Sequence, residues 1–140
     1  MRDNVYRIFD HVSDLGLEIY GNTLPELFEN AGFTLFDLIS DVDTVRTKIS
    51  YPICIRGEGL DLLLRDWLGE LLYLFSVEGL LFSTFNVEKI DGNFFQATVK
   101  GEKYDPRYHV IKREIKSVTY HKLSVRKEGK RWVATVVFDI

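Results

Sequence analysis

Two acidic positions carry the side chains best suited to metal chemistry. Asp14 follows His11 by three residues, and Asp139 stands beside Ile140, which carries the terminal α-carboxylate of the sequence. Carboxylate oxygens are the hard ligands that Ca²⁺ and Mg²⁺ prefer. The structural alternative is that Asp14 caps a turn and that Asp139 is the solvated end of a strand. Spacing alone favours that alternative.

A basic segment could bind phosphates or an acidic protein surface. Residues 100–131 hold eleven Lys or Arg and four Asp or Glu, although the 140-residue chain has a net charge of −3. Aromatic side chains interleaved with bases are typical of surfaces that bind single-stranded nucleic acid. The segment has three tyrosines placed in this way, Tyr104, Tyr108 and Tyr120. The alternation of Lys122 and Arg126 with other residues favours the simpler interpretation, an ordinary solvated strand face.

Other catalytic motifs are missing from the sequence. Gly57-Glu58-Gly59 lacks the third glycine of a dinucleotide fingerprint and the Lys-Ser/Thr pair of a P-loop, so it predicts a turn. The single cysteine, Cys54, excludes an intramolecular disulfide and is interpreted as a small buried side chain. A metal-dependent hydrolase built on Asp14, Asp139 and His11 is the weakest hypothesis, because no separate general base accompanies them.

Length and composition restrict the class of protein. A chain of 140 residues fits one domain, residues 1–140. Apolar residues at 46% exclude a disordered chain, and no apolar run approaches the length of a membrane span. The lone cysteine and the lack of a signal peptide favour a cytoplasmic protein without membrane contact.

The hydrophobic pattern predicts the elements that must position these residues. Thr23 and Glu26 form a capping box at the start of a first helix, and a stronger helix follows over 60–75. Asp91-Gly92 predicts a hairpin, and Gly129 lies in a second one. The strands are predicted over 6–10, 15–20, 48–56, 81–89, 93–104, 117–126 and 131–138. This order predicts an α+β fold, with two helices packed on one face of a mixed, mostly antiparallel sheet.

Five segments, in order along almost the whole chain, resemble the archease family. The opening Tyr6-Arg7-Ile8-Phe9-Asp10-His11-Val12-Ser13-Asp14-Leu15-Gly16 resembles the family's aromatic strand followed by His-x-x-Asp, with Val12-Ser13 replacing the commoner Thr-Ala. The remaining four segments are residues 21–31, residues 63–75, Lys116-Ser117-Val118-Thr119-Tyr120-His121 and Phe138-Asp139-Ile140. Each match is short, but together they are specific.

The resemblance implies an accessory protein that has no catalytic residues of its own. Archeases assist the RtcB-type RNA ligase of tRNA splicing and RNA repair, which uses GTP and passes through a guanylylated histidine. The resemblance implies that this protein promotes that guanylylation and supports multiple turnover. Contact with tRNA or tuning of a tRNA methyltransferase is the alternative role, in an RNA-binding or chaperone-like module.

The resemblance also implies a set of site residues. Asp14, Asp139 and Ile140 would bind a divalent cation, with calcium expected and magnesium or manganese as alternatives. Lys116 and His11 would take part in activation. Because His11 precedes Asp14 by three residues, it would orient Asp14, and the alternative is an ordinary packed, hydrogen-bonded histidine. Thr119 and His121 would stand around this site, on one side of a strand. A cation or Lys116 would relieve the mutual repulsion of clustered carboxylates.

Overall fold

The architecture is that of a computed structural model, which describes residues 5–10 and 14–140. It contains two α-helices and eight β-strands among these residues. The helices are α1 (Leu24–Ile39) and α2 (Leu60–Ser76). The strands are β1 (Tyr6–Asp10), β2 (Asp14–Gly21), β3 (Ile49–Arg56), β4 (Leu80–Ile90), β5 (Phe94–Lys103), β6 (Ser117–Val118), β7 (Ser124–Glu128) and β8 (Arg131–Asp139). Neither helix is long and apolar enough to cross a bilayer.

The strands form two antiparallel sheets. The first has the order β1-β2-β8-β6, with β7 also paired to β8, and the second has the order β3-β5-β4. All of these pairs are antiparallel. The predicted α+β class with two helices and antiparallel strands is confirmed, and its strands are divided between two sheets.

Helix α1 is buried because it packs against strands of both sheets, β2 and β4. The Thr23 side chain accepts a hydrogen bond from the Glu26 N–H at 3.2 Å, as the capping motif predicts. A Cβ on Gly32 would lie 2.7 Å from the Phe85 ring, so this glycine lets α1 approach β4 closely. Trp67 of α2 is fully buried and donates from Nε1 to the Phe28 carbonyl at 2.8 Å, which joins the two helices.

The prediction of one continuous strand over 117–126 is wrong at the centre of that range. The range is divided into β6 and β7 by a turn over residues 119–123. In the register of β6, Ser124 would face Trp132, but it faces Thr135, a shift of three residues along β8. Lys122 in this turn has a φ of 55°, the left-handed conformation that continuous strands exclude.

Cys54 is exposed, so the prediction of a buried thiol is wrong. It lies on β3 opposite Gln96, which is also exposed, whereas its neighbour Ile53 is buried. Side chains therefore alternate between the two faces of β3 as expected for a strand. Ile53 faces the core, and Cys54 faces solvent.

The Cys54 thiol should react with a thiol reagent in the native protein. We expect one equivalent of Ellman's reagent to react within the mixing and observation time, at a rate similar to that of the protein unfolded in urea, because exposure leaves no barrier to access. Stopped-flow absorbance measures both rates. A native rate that is orders of magnitude slower would contradict the exposed position.

Candidate metal site at the end of the first sheet

Pairing of β2 with β8 brings Asp14 and Asp139 together at one end of the first sheet. The two residues are directly opposed in the register, and Ser117 of β6 is opposed to Asp139 on its other side. Directly opposed residues have their Cα atoms about 4.5–5.5 Å apart and point to the same face. We call Asp14, Asp139 and the adjacent main-chain oxygens of Ile140 the carboxylate tip.

Within the described part of the chain, no neighbouring side chain compensates the two like charges of the tip. Asp14 is half-buried and Asp139 exposed. Over residues 5–10 and 14–140, neither side chain has a hydrogen-bond or ion-pair partner. Opposed like charges destabilise a strand pair, so the arrangement favours a cation.

The donor set of the tip is small within the described part of the chain. No three His, Cys, Asp or Glu side chains come together there as a metal cluster. The tip supplies two carboxylates and main-chain oxygens, which is chemistry suited to a hard cation that keeps several water ligands. The residues present therefore fit a calcium or magnesium ion that is bound partly by the protein and partly by water.

The main chain of Lys116 is fixed beside the tip. Its N–H donates to the Asp139 carbonyl at 2.7 Å, whereas its side chain is exposed. The ammonium group forms no ion pair with a carboxylate of the described residues. Lys116 is thus held beside the tip by its main chain, and its side chain does not neutralise the aspartates.

Thr119 and His121 belong to the turn between β6 and β7, so their expected placement on one side of a strand is wrong. The Thr119 hydroxyl donates to the Val137 carbonyl at 2.8 Å and accepts from the His121 N–H at 3.2 Å. Thr119 therefore shapes the turn that follows Lys116, and His121 is exposed within that turn. His11 lies outside the described residues, so its predicted role stays a prediction.

A segment without regular secondary structure, residues 104–116, holds Lys116 in place. It crosses the C-terminal end of α1, where helix carbonyls lack intrahelical donors. The Lys112 N–H donates to the Ile39 carbonyl at 2.7 Å, and the Arg113 guanidinium donates to the Leu38 carbonyl at 2.9 Å. The Ser40 hydroxyl donates to the Val110 carbonyl at 2.7 Å. Sequence analysis missed this anchor, because its signal is a pairing of residues seventy positions apart.

A buried histidine and glutamate anchor the same segment at its start. His109 accepts the Asp105 N–H on Nδ1 at 2.9 Å, so its Nε2 carries the hydrogen and donates to Glu102 Oε2, also at 2.9 Å. The Arg46 main-chain N–H and guanidinium donate to the Glu102 carboxylate at 2.7 and 3.0 Å. Burial alone would raise the pKa of Glu102, but the hydrogen bonds from Arg46 and His109 outweigh burial and lower that pKa from 4.5 to about 2.

Replacing Glu102 by Gln should destabilise the protein at neutral pH and make its unfolding free energy depend less on pH in the acid range. A folded-state pKa below the unfolded value means that Glu102 stabilises the fold above about pH 4.5 and that this stability is lost as the pH falls towards about 2. We expect the unfolding free energy at pH 7 to fall by about 1.5–3 kcal/mol, the value of hydrogen bonds to a charged group. Urea titrations from pH 2 to 7 measure both effects.

The control for Glu102 is Glu114→Gln, since Glu114 is exposed and has no partner among the described residues. This variant should leave the unfolding free energy at pH 7 within about 0.5 kcal/mol of the original. If Glu102→Gln and Glu114→Gln had the same small effect, the buried network would not stabilise the segment.

The bases of residues 100–131 are spread over several surfaces. Lys100 projects from β5 in the second sheet, whereas Arg126 on β7 in the first sheet pairs with Glu18 and Glu128. Arg107 is paired with Asp105 at 2.8 Å. Paired and dispersed bases do not form one groove for a phosphate backbone, which favours the solvated-face interpretation.

Comparison with known proteins identifies the family. Residues 6–140 match the model of the Archease protein family (MTH1598/TM1083). The archease of Methanosarcina acetivorans is 41% identical over 139 residues, with 96% of this chain and 95% of the relative covered. The archease of Pyrococcus furiosus is 41% identical over 136 residues, with 94% and 96% covered.

Solved structures agree with this fold. The solution structure of Methanobacterium thermoautotrophicum protein 1598 has a TM-score of 0.84 and 34% identity, covering 97% of this chain and 99% of that one. An archease of Thermotoga maritima, described as a possible chaperone, has a TM-score of 0.65 and 22% identity, covering 100% and 98%. At that identity the second likeness concerns the fold alone. With the match running from β1 to Ile140, the chain belongs to the archease family.

Proposed function

We propose that this protein is a non-catalytic accessory factor of an RtcB-type RNA ligase, which promotes guanylylation of the ligase and its multiple turnover. The proposal combines family membership with the geometry of the carboxylate tip. A divalent cation, with calcium expected, would be held by Asp14, Asp139 and the main-chain oxygens of Ile140. The expected location of this activity is the cytoplasm.

One observation carries the proposal, the opposition of Asp14 and Asp139 without a compensating side chain among the described residues. A protein gains no stability from two like charges placed opposite each other on paired strands. Such a pair is consistent with selection for binding. When bound, the cation would supply positive charge and coordination positions for oxygen ligands of a partner.

Lys116 completes the proposed activating surface. Its main chain is fixed beside Asp139 by the hydrogen bond from the Lys116 N–H to the Asp139 carbonyl, and its side chain is exposed. An ammonium group that has no ion-pair partner among residues 5–10 and 14–140 can meet a phosphate or a carboxylate at the ligase. The chain would thus contribute charge and position, and the ligase would contribute the reacting histidine.

The test is a guanylylation assay with the cognate ligase and radiolabelled GTP. We expect addition of this protein to raise both the rate of enzyme–GMP formation and the number of RNA ends joined per ligase molecule. Lys116→Gln should lose this stimulation, whereas Lys112→Gln, which removes a nearby exposed charge, should retain it. Equal ligation with and without the wild-type protein, over many turnovers, would overturn the proposed function.

A further inference from the structure

An open groove lies between β3 and β6, with α2 as its floor. Its volume is about 840 Å³. Among the described residues, both β3 and β6 are edges of their sheets. The lining residues used below are Pro52 and Cys54 of β3, Gly69 and Tyr73 of α2, and Lys116 beside β6. We call this feature the α2–β3 groove.

The edge of β3 that faces the groove has unpaired main-chain groups. The Gly57 N–H donates to the Asn93 carbonyl at 3.1 Å, in the same register that pairs β3 with β5. Because bonding direction alternates along an antiparallel strand, Ser50, Pro52 and Cys54 direct their main-chain groups away from β5. Ser50 and Cys54 therefore offer an N–H and a carbonyl each, and Pro52 offers a carbonyl alone.

The floor of the groove is open at the centre of α2. A Cβ built on Gly69 meets no atom within 4 Å, and Gly69 lines the groove. Glycine in a helix interior is unfavourable relative to alanine. A larger side chain would fit sterically at this position only by entering the groove, so Gly69 keeps the groove unfilled.

The walls suit a polypeptide better than a nucleic acid. Arg65 and Lys116 are balanced by Asp66 and Glu70 in the same lining, so the groove lacks the net positive charge that a phosphate backbone requires. Tyr73 is 52% exposed and offers an apolar surface at the C-terminal half of α2.

The far side of the groove favours a single strand as the occupant. Lys116, Ser117 and Val118 line that side, so a segment added to β3 would lie between two walls of this chain. One extended segment needs a single strand spacing of about 4.8 Å beside β3. The sheet edge of a second copy would bring neighbouring strands as well, each of which would need the same spacing again between the two walls.

We propose that the α2–β3 groove binds an extended polypeptide segment of a partner protein, which adds a strand to the edge of β3. Its main chain pairs with Ser50 and Cys54, and its alternate apolar side chains contact Tyr73 and the floor at Gly69. This is strand addition to an open sheet edge, in which main-chain hydrogen bonds give affinity and side-chain contacts give specificity. It is independent of the cation proposed for the tip.

The probe is a display library of random twelve-residue peptides, selected on the wild-type protein. Gly69→Trp fills the groove, and Gly69→Ala is the matched control that leaves it open. We expect selected peptides to bind wild type and Gly69→Ala alike, and to bind Gly69→Trp about tenfold more weakly or worse. Nitrogen-15 NMR exchange should show protection of the Ser50 and Cys54 amides on peptide binding.

Thermal melts establish that both variants are folded, and Gly69→Ala should melt no lower than wild type. Recovery of no peptide that discriminates against Gly69→Trp would overturn the proposal, as would protection confined to other strands. A wild-type dimer in sedimentation that Gly69→Trp converts to monomer would assign the groove to a second copy instead. Displacement of the peptides by a single-stranded oligonucleotide would assign it to nucleic acid.

Discussion

Asp139→Asn should abolish stimulation of the ligase while leaving the fold intact. The substitution keeps the size of the side chain and removes one of the two opposed charges of the carboxylate tip. Loss of a charged ligand should weaken calcium affinity by at least about 10-fold. Without the cation, the proposed activating surface has neither its charge nor its coordination positions, so the guanylylation rate should return to that of the ligase alone.

When no divalent cation is present, Asp139→Asn should stabilise the protein. Removing the like-charge opposition should raise the unfolding free energy by about 0.2–1 kcal/mol in EDTA. Calcium should then raise the melting temperature of the wild type and leave that of Asp139→Asn unchanged. Calorimetry with calcium chloride and melts with and without EDTA measure these effects independently of the ligase.

Asp43→Asn is the matched control for the tip. Asp43 is exposed, and its side chain has no partner among the described residues. It should retain stimulation, calcium affinity and melting temperature. If folded Asp139→Asn protein stimulated guanylylation as well as Asp43→Asn does, the assignment of the tip would be wrong.

Gly101→Ala should have the largest effect on stability. Gly101 lies in β5 opposite Phe82, where the register of β4 shifts. A Cβ there would overlap the Leu81 carbonyl oxygen and lie 2.7 Å from the Phe82 Cα. Backbone atoms in a paired strand cannot move aside as a side chain can, so we expect a loss of about 3 kcal/mol or more.

Gly92→Ala is the control, because it adds the same methyl group at a glycine where no steric clash results. Gly92 lies in the β4–β5 hairpin, and a Cβ there meets no atom within 4 Å. Its variant should remain within about 0.5 kcal/mol of wild type, measured by urea unfolding at pH 7. Similar small losses in both glycine variants would show that β4 and β5 can separate at the bulge at little cost.

Elements set by local contacts could be predicted from the sequence. The Thr23 cap acts within three residues, and the Asp91-Gly92 turn is closed by the Asp91 N–H donating to the Phe94 carbonyl at 2.9 Å. These interactions depend on spacing, which a sequence displays directly. The apolar face of α2 is equally local, since apolar residues recur there at helical spacing and are buried: Leu63, Leu64, Trp67, Leu68 and Leu71.

Features that depend on distant pairing could not be predicted from the pattern. Cys54 has the period of a strand residue, but whether its phase faces the core depends on where β5 and α2 lie. The turn at Lys122 results from a register shift against β8 that no local rule encodes. Asn30 is buried in α1 because its side chain donates to the Tyr20 carbonyl at 2.7 Å, again a tertiary contact.

The candidate site belongs to this second class. Spacing alone favours a capping role for Asp14 and a solvated strand end for Asp139. Only the resemblance to archeases predicts that the two residues share one site. The register of β2 on β8 is the physical reason for their proximity. The cation, the ligase and the roles of Lys116 and His11 stay predictions.

The two carboxylates of the tip come together only when β8 has paired with β2. This strand pairs with β2, β6 and β7, so the first sheet has no centre until β8 has docked. Asp14 and Asp139 come from opposite ends of the sequence, and contacts of such long separation form at high entropic cost. A partly folded chain therefore presents no paired carboxylates. A partner that requires both carboxylates would therefore recognise only a chain in which the two strands of this pair, β2 and β8, are already joined.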